Sequence, residues 1–191
     1  IYNYVELRAE LTAKGYTFRS ETDTEVIIAA YQEWGKSCLD RFNGMWAFAL
    51  WDGNRQELFC ARDRFGIKPF YYCWNDGVFA FASEIKALLE LSFISRRAND
   101  GVIYDYLRYG RMDITHETFF SGISRLLPAH SIVIDRSGLS QNSSQQMRRY
   151  WSLPGEGMAT EPVDSHRQIE DFANLFQDSI RLRLRSDVTV G

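Results

Sequence analysis

Phe59-Cys60-Ala61-Arg62-Asp63-Arg64-Phe65-Gly66-Ile67-Lys68-Pro69-Phe70-Tyr71-Tyr72 sets three consecutive charges between two apolar runs. Strand, charges, glycine, Lys-Pro, strand is the order of a tight connection, with Gly66 supplying a positive φ and Pro69 ending the turn. On that reading Arg62, Asp63 and Arg64 are solvated. The competing reading turns Asp63 or an arginine inward as an ion-paired clamp on a neighbouring loop, since a buried charge costs several kcal/mol unless paired. The residues alone favour the solvated turn. Thr22-Asp23-Thr24-Glu25 is a second place where chemistry is conceivable. It has the Thr-x-x-Glu form of a capping box, in which Thr22 and Glu25 serve the helix start and leave Asp23 free. The ordinary role of Asp23 is to complement the positive end of the helix dipole. A free carboxylate there could also bind the ammonium of an amino acid through a charge-assisted hydrogen bond. Without further context the dipole role is preferred.

The remaining reactive residues offer less. Arg181, Arg183 and Arg185 alternate with other residues at the end of an apolar-striped segment, where cations suit the negative end of a helix. Cys38, Cys60 and Cys73 have no CxxC spacing, and two of them lie in strand-like runs, so buried free thiols of a reducing compartment are expected. His116, His130 and His166 are scattered, with no zinc-type spacing. No Ser/His/Asp set, metal cluster or Gly-rich phosphate loop can be assembled from these residues.

The elements that must position Asp23 and Asp63 follow from periodicity. Val5 to Lys14 reads as a helix stopped by Gly15, and Tyr16 to Phe18 as strand-like. An amphipathic helix follows the capping box to Trp34, and Ser37 to Phe42 can form another. Met45–Trp51, Leu58–Arg62, Phe70–Trp74 and Val78–Ala82 read as strands joined by Asp-Gly and Asn-Asp-Gly turns, the first too apolar for a wet face. Ser83 suits the cap of a helix from Glu84 to Leu91, and Asn99 that of a helix from Gly101 to Tyr109 stopped by Gly110. Ile132 to Ile134 is one more strand, with a turn at 135–138. Leu139 to Arg149 reads as loop and Pro154 to Pro162 as linker. Ser165-x-x-Gln168 opens a long amphipathic helix striped by Ile169, Phe172, Leu175, Phe176, Ile180 and Leu184. The fold class is α+β.

Composition sets the outer bounds. The 191 residues, 45% hydrophobic and 25% charged, suffice for one well-packed core with a small appendage. A net charge of −3 gives no electrostatic footprint for nucleic acid or an anionic membrane. No run nears the ~20 apolar residues of a membrane span. A cytoplasmic protein is expected. Ile1 begins in mid-pattern and Val188-Thr189-Val190-Gly191 reads as a strand entering a glycine turn, so a piece of a longer polypeptide is expected.

Several of these motifs, taken in order, resemble the glutamine-hydrolysing asparagine synthetase family. They are Ile1-Tyr2-Asn3-Tyr4, Thr22-Asp23-Thr24-Glu25-Val26-Ile27, Phe42-Asn43-Gly44-Met45-Trp46-Ala47-Phe48-Ala49, the Ala61 to Pro69 stretch, Ala82-Ser83-Glu84-Ile85-Lys86-Ala87-Leu88, Arg149-Tyr150-Trp151 and Ser186-Asp187-Val188. The resemblance implies a class II glutamine amidotransferase domain of the N-terminal-nucleophile hydrolase type, an α/β/β/α sandwich of antiparallel sheets. It implies that residues 1–151 are this domain, N-terminally incomplete, that 152–164 is a linker, and that 165–191 begins an ATP pyrophosphatase-type synthetase domain. In that family an N-terminal Cys attacks glutamine, an Asn-Gly pair forms the oxyanion hole, and ammonia passes to an ATP-activated aspartate.

Carried over residue by residue, the resemblance makes Asp23 the ligand of glutamine's α-amino group. It assigns no catalytic residue to this chain, because the family's Cys and Asn-Gly-Glu stand before Ile1. It makes Arg62, Asp63, Arg64 and Gly66 a structural signature near the glutamine pocket, read as a partly buried ion-paired brace. ATP and Mg²⁺ are implied for the parent enzyme and assigned to no residue here, and no metal ligand is expected. The expected partners are glutamine, aspartate and the enzyme's own synthetase domain. Homodimers are common in the family, without a signal in these residues. This chain alone is expected to release no ammonia from glutamine. The alternatives are a β-lactam synthetase-like or polysaccharide-modifying ligase on the same scaffold, or a non-catalytic regulatory module of this fold.

Overall fold

A computed structural model describes residues 1–75, 77–135, 147–153 and 165–185. The chain divides into two compact units, Ile1–Gly44 with Leu153–Gly191, and Met45–Ser152.

The first unit is helical. α1 (Tyr4–Ala13) buries Leu7 and Leu11, one turn apart, and packs on α2 (Asp23–Trp34), which buries Val26, Ala29, Ala30 and Tyr31. Gly35 closes α2 at φ 58°, a value that favours glycine, and a 3₁₀ turn leads into the short α3 (Cys38–Arg41). Arg41 ties α3 back by pairing with Glu10 at 2.7 Å and lying 4.0 Å over the Trp34 ring. Tyr16 to Phe18 forms no strand; the Tyr16 hydroxyl instead reaches Glu33, which also pairs with Lys14. α6 (Ser165–Arg183) has the expected helical form, but its apolar stripe is exposed from Ile169 to Ile180, with Phe172 and Phe176 stacked on one another. Leu182, off that stripe, is buried.

The second unit stacks two antiparallel sheets. One has the order β1-β2-β6-β7, from β1 (Ala47–Asp52), β2 (Glu57–Arg62), β6 (His130–Ile134) and β7 (Met147–Arg149). The other has the order β4-β3-β5, from β4 (Val78–Ala82), β3 (Tyr71–Asn75) and β5 (Ser124–Arg125). Strand alternation sorts the side chains. Cys60, Ile132 and Ile134 from the first sheet meet Tyr72, Trp74 and Phe79 from the second in a shared core, joined by Phe70 and Leu126. On the far side of the second sheet, Cys73 and Ala80 pack with Leu88 of α4 (Ile85–Leu88) and Ile123. Phe59 and Ala61, on the other face of β2, are also fully buried, so this strand is covered on both faces.

Three details depart from the sequence reading. α4 is a single turn capped at Glu84 rather than a helix to Leu91 capped by Ser83. Met147–Arg149 is a strand, because its backbone continues the ladder beside His130–Ile132. Met45 and Trp46 precede β1 rather than belong to it; the Trp46 backbone is taken up by Asp63 instead. By contrast α5 (Asp100–Tyr109) keeps its signals, with Asn99 accepting from the Val102 N–H and Gly110 closing it at φ 64°. The turn at 136–138, the loop 139–146 and the linker 154–162 lie outside the described residues.

Candidate functional site

Asp63 is 1% exposed, yet it is held by peptide groups and not by an arginine. Its Oδ1 accepts from the backbone N–H of Phe65 at 3.1 Å and Ile67 at 3.0 Å. Its Oδ2 accepts from Lys68 N–H at 3.0 Å and Trp46 N–H at 3.2 Å. Four donors converge on one carboxylate, which is how a buried anion is satisfied without a cation. The Asp63 backbone is engaged too, donating to the Trp46 carbonyl and accepting from Gly66 and Ala129 N–H.

Arg62 works on the opposite polarity. Its guanidinium donates to the carbonyls of Gly66 at 2.6 Å, Lys68 at 2.7 Å and Leu126 at 2.7 Å, while Tyr150 hydroxyl donates to its own carbonyl at 2.7 Å. Burial lowers the pKa of this guanidinium, and the negative charge of Asp63 opposes the shift. Asp63 therefore gathers the N–H groups of the turn and Arg62 its C=O groups. The expected ion-paired brace is replaced by two side chains that each satisfy backbone. Gly66 stands at φ 66°, where a Cβ would meet Pro128 Cγ at 2.8 Å and Arg62 Cζ at 3.1 Å. Arg64 points elsewhere, 6.0 Å over the Trp151 ring, against which Phe65 also packs edge-on.

Asp23 is the first residue of α2, after Thr22 as N-cap. The capping box does not form. Glu25 reaches past Thr22 to accept from the N–H groups of Arg19 at 2.9 Å and Ser20 at 2.8 Å, and these bonds lower its pKa. Asp23 is thus left free of capping duty, and it accepts a hydrogen bond from the α-ammonium of Ile1. Around that contact the backbone is clamped. Tyr2 N–H donates to the Asn43 carbonyl at 2.7 Å, Asn3 brackets the same loop by bonding Arg41 O and Asn43 N, and Gly44 lies so close that a Cβ there would be 2.8 Å from Tyr2 N.

Sequence reasoning misses two residues at this corner. Arg185 donates to the Tyr2 carbonyl at 2.8 Å and forks onto both oxygens of Glu6, at 2.6 and 2.5 Å. That hydrogen-bonded guanidinium holds the Glu6 carboxyl at about 2. Arg183 lies 5.3 Å over the Tyr2 ring while donating to the Ser179 carbonyl of its own helix at 3.0 Å, and Arg181 pairs with Asp178. In sequence the alternation of arginines looks like dipole compensation, and Glu6 like an ordinary first-turn acid. A pairing across so much sequence leaves no local signal.

The thiols are not nucleophiles. Burial pushes Cys38 and Cys60 up to about 12 and raises Cys73 as well, so all three hold their protons at neutral pH. Among the described residues no three His, Cys, Asp or Glu side chains come together as metal ligands, and no helix is long and apolar enough to cross a membrane.

A family model described as a glutamine amidotransferase domain matches residues 1–151. Asparagine synthetase [glutamine-hydrolyzing] 3 of Bacillus subtilis is 37% identical over 190 residues, covering 100% of this chain and 30% of that protein. Putative asparagine synthetase [glutamine-hydrolyzing] 2 of Methanocaldococcus jannaschii is 34% identical, covering 100% of this chain and 35% of that protein. The chain thus spans about a third of the length of these curated relatives. A solved structure of glutamine phosphoribosylpyrophosphate amidotransferase from B. subtilis aligns with 78% of this chain and 26% of its own, at TM-score 0.48 and 18% identity.

Proposed function

Since the chain belongs to the glutamine amidotransferase domain family, we propose that it handles glutamine within a longer glutamine-hydrolysing asparagine synthetase. The parent would release ammonia from glutamine and pass it to an ATP-activated aspartate. One observation carries this reading: the glutamine amidotransferase match runs over residues 1–151 and takes in Asp23, whose carboxylate caps no helix and which the family resemblance assigns to the α-ammonium of glutamine.

Residues 1–151 are then the glutaminase domain, 152–164 the link, and 165–191 the start of the synthetase domain. The reach of the family match and the exposed apolar stripe of α6 support this division. The nucleophile belongs to the segment that the family places before Ile1, since protonated, buried thiols cannot take its role. Among the described residues no three His, Cys, Asp or Glu side chains group as metal ligands, and ATP with Mg²⁺ would be held by the parent's synthetase domain. Asp63 and Arg62 serve by fixing the 63–68 turn.

The test follows the amide nitrogen. The full-length polypeptide carrying this sequence is given glutamine labelled with ¹⁵N at its amide, together with aspartate and ATP. Labelled asparagine that requires both aspartate and ATP is the expected product. Labelled ammonia without asparagine would contradict the reading and favour a different acceptor.

A further inference from the structure

α5 is anchored at its start and bare along its length. The Asn99 N–H donates to the Phe119 carbonyl, Ala98 bridges Phe120, and Tyr106 packs edge-on against the Phe119 ring at 5.5 Å. Tyr106 therefore marks the inward side, with Val102, one turn before it, half-buried. No residue of the helix is fully buried. A helix of 10 residues is marginal in water unless one of its faces is covered.

The outward side carries Asp100, Tyr104, Leu107 and Arg108, whose spacing puts them on one face. Tyr104 is 59% exposed and Leu107 77%, the highest value for a large apolar side chain among the described residues. Gly101 is exposed too, and a Cβ there would meet only Asn99 Oδ1, at 3.6 Å. Among the described residues Asp100 has no ion pair, and the Arg108 guanidinium lies 5.6 Å over the neighbouring Tyr109 ring without one.

This face is complementary to itself. It begins acidic and slender, at Asp100 and Gly101, and ends bulky and basic, at Leu107 and Arg108. Lay a second copy antiparallel on it, about a two-fold axis at Tyr104. Each Asp100 then stands opposite the other copy's Arg108, and each Leu107 opposite the other copy's Gly101, where no side chain blocks it. The Tyr104 rings meet on the axis. One set of residues supplies both halves of the contact, as a two-fold interface requires.

We propose that α5 is a self-association surface, on which a second copy of this chain covers Tyr104 and Leu107 and pairs Asp100 with Arg108. Met112 and Ile114, both exposed, extend the apolar surface past Gly110. A contact built on one short helix belongs to the smaller class of interfaces, so the dimer dissociates on dilution. The inference goes beyond the glutamine reading and stands without it, since no residue of the contact is assigned to glutamine.

The test is sedimentation of the full-length polypeptide over a range of concentrations. Unsubstituted protein is expected to pass from monomer to dimer as its concentration rises. Asp100→Arg and Arg108→Asp, each setting like charges face to face twice, are expected to weaken the dimer about tenfold or more. The double substitution re-forms the pairs with signs exchanged and is expected to recover to within about threefold of the parent. Leu107→Ala is expected to weaken dimerisation about tenfold, with the melting of the monomer unchanged because the side chain is so exposed. Protein that stays monomeric throughout overturns the inference and leaves α5 to be covered by the parent's remaining residues. A dimer that the three single substitutions leave within about twofold overturns it as well, and so does a double variant no tighter than either charge reversal alone.

Discussion

At the scale of single residues, charge and backbone are exchanged for one another. Asp63 takes four peptide N–H groups that no ladder satisfies, and Arg62 takes three peptide carbonyls. Asp63→Ala strands all four donors. The expected loss is about 3–5 kcal/mol, read as a fall in Tm of roughly 10 °C. Asp63→Asn is expected to lose nearly as much, because an amide presents a donor where Oδ2 or Oδ1 accepted two bonds. A thermal melt unaffected by either substitution would mean that the turn is satisfied without its carboxylate. The chemistry of this site is half legible in the sequence. That three charges in an apolar run need an explanation can be read from the residues, and the inward alternative names Asp63. That its partners are peptides cannot, since backbone donors carry no residue signature. Asp23 is legible only through resemblance, and the capping box that would free it does not exist. Glu25 frees it another way, by closing the preceding turn.

At the scale of elements, the hairpins and the α5 helix can be read almost to the residue, because local signals set them. Alternation marks β2 and β4, and Asn99 with Gly110 bounds α5. Where tertiary pairing decides, local signals mislead. β7 reads as loop because Ser- and Gln-rich neighbours hide three residues whose only qualification is an open edge at β6. Tyr16 to Phe18 has strand composition but no strand to join. The 63–68 turn lies between these cases, since its glycine is correctly placed by the sequence but its crowding is not foreseeable. Gly66→Ala meets both a left-handed φ and a closed space, whereas Gly122, at φ 86°, has no atom within 4 Å of its Cβ position. Gly122→Ala bears the conformational strain alone. Gly66→Ala is expected to cost about 1–3 kcal/mol more than Gly122→Ala in urea unfolding. Equal costs would show that Pro128 and Arg62 yield to the added methyl without penalty.

At the scale of the whole molecule, the sequence indicates an α+β protein that is one part of something larger. The sheets and helices agree with the first, and curated relatives about three times as long agree with the second. The exposed stripe of α6 is the feature that sequence cannot interpret. Its periodicity announces a helix with a face to bury, but periodicity does not say whether the covering surface lies within these residues. The proposed division explains it, with α6 opening the synthetase domain. The proposed function depends on glutamine lying against Asp23. The most direct measurement is therefore the glutamine dependence of ammonia release by the full-length polypeptide with Asp23→Asn. Loss of the charge-assisted bond to the α-ammonium is expected to raise KM roughly 10- to 100-fold, with kcat changed far less. An Asp23→Asn protein that folds normally and keeps the KM of its parent would contradict the account.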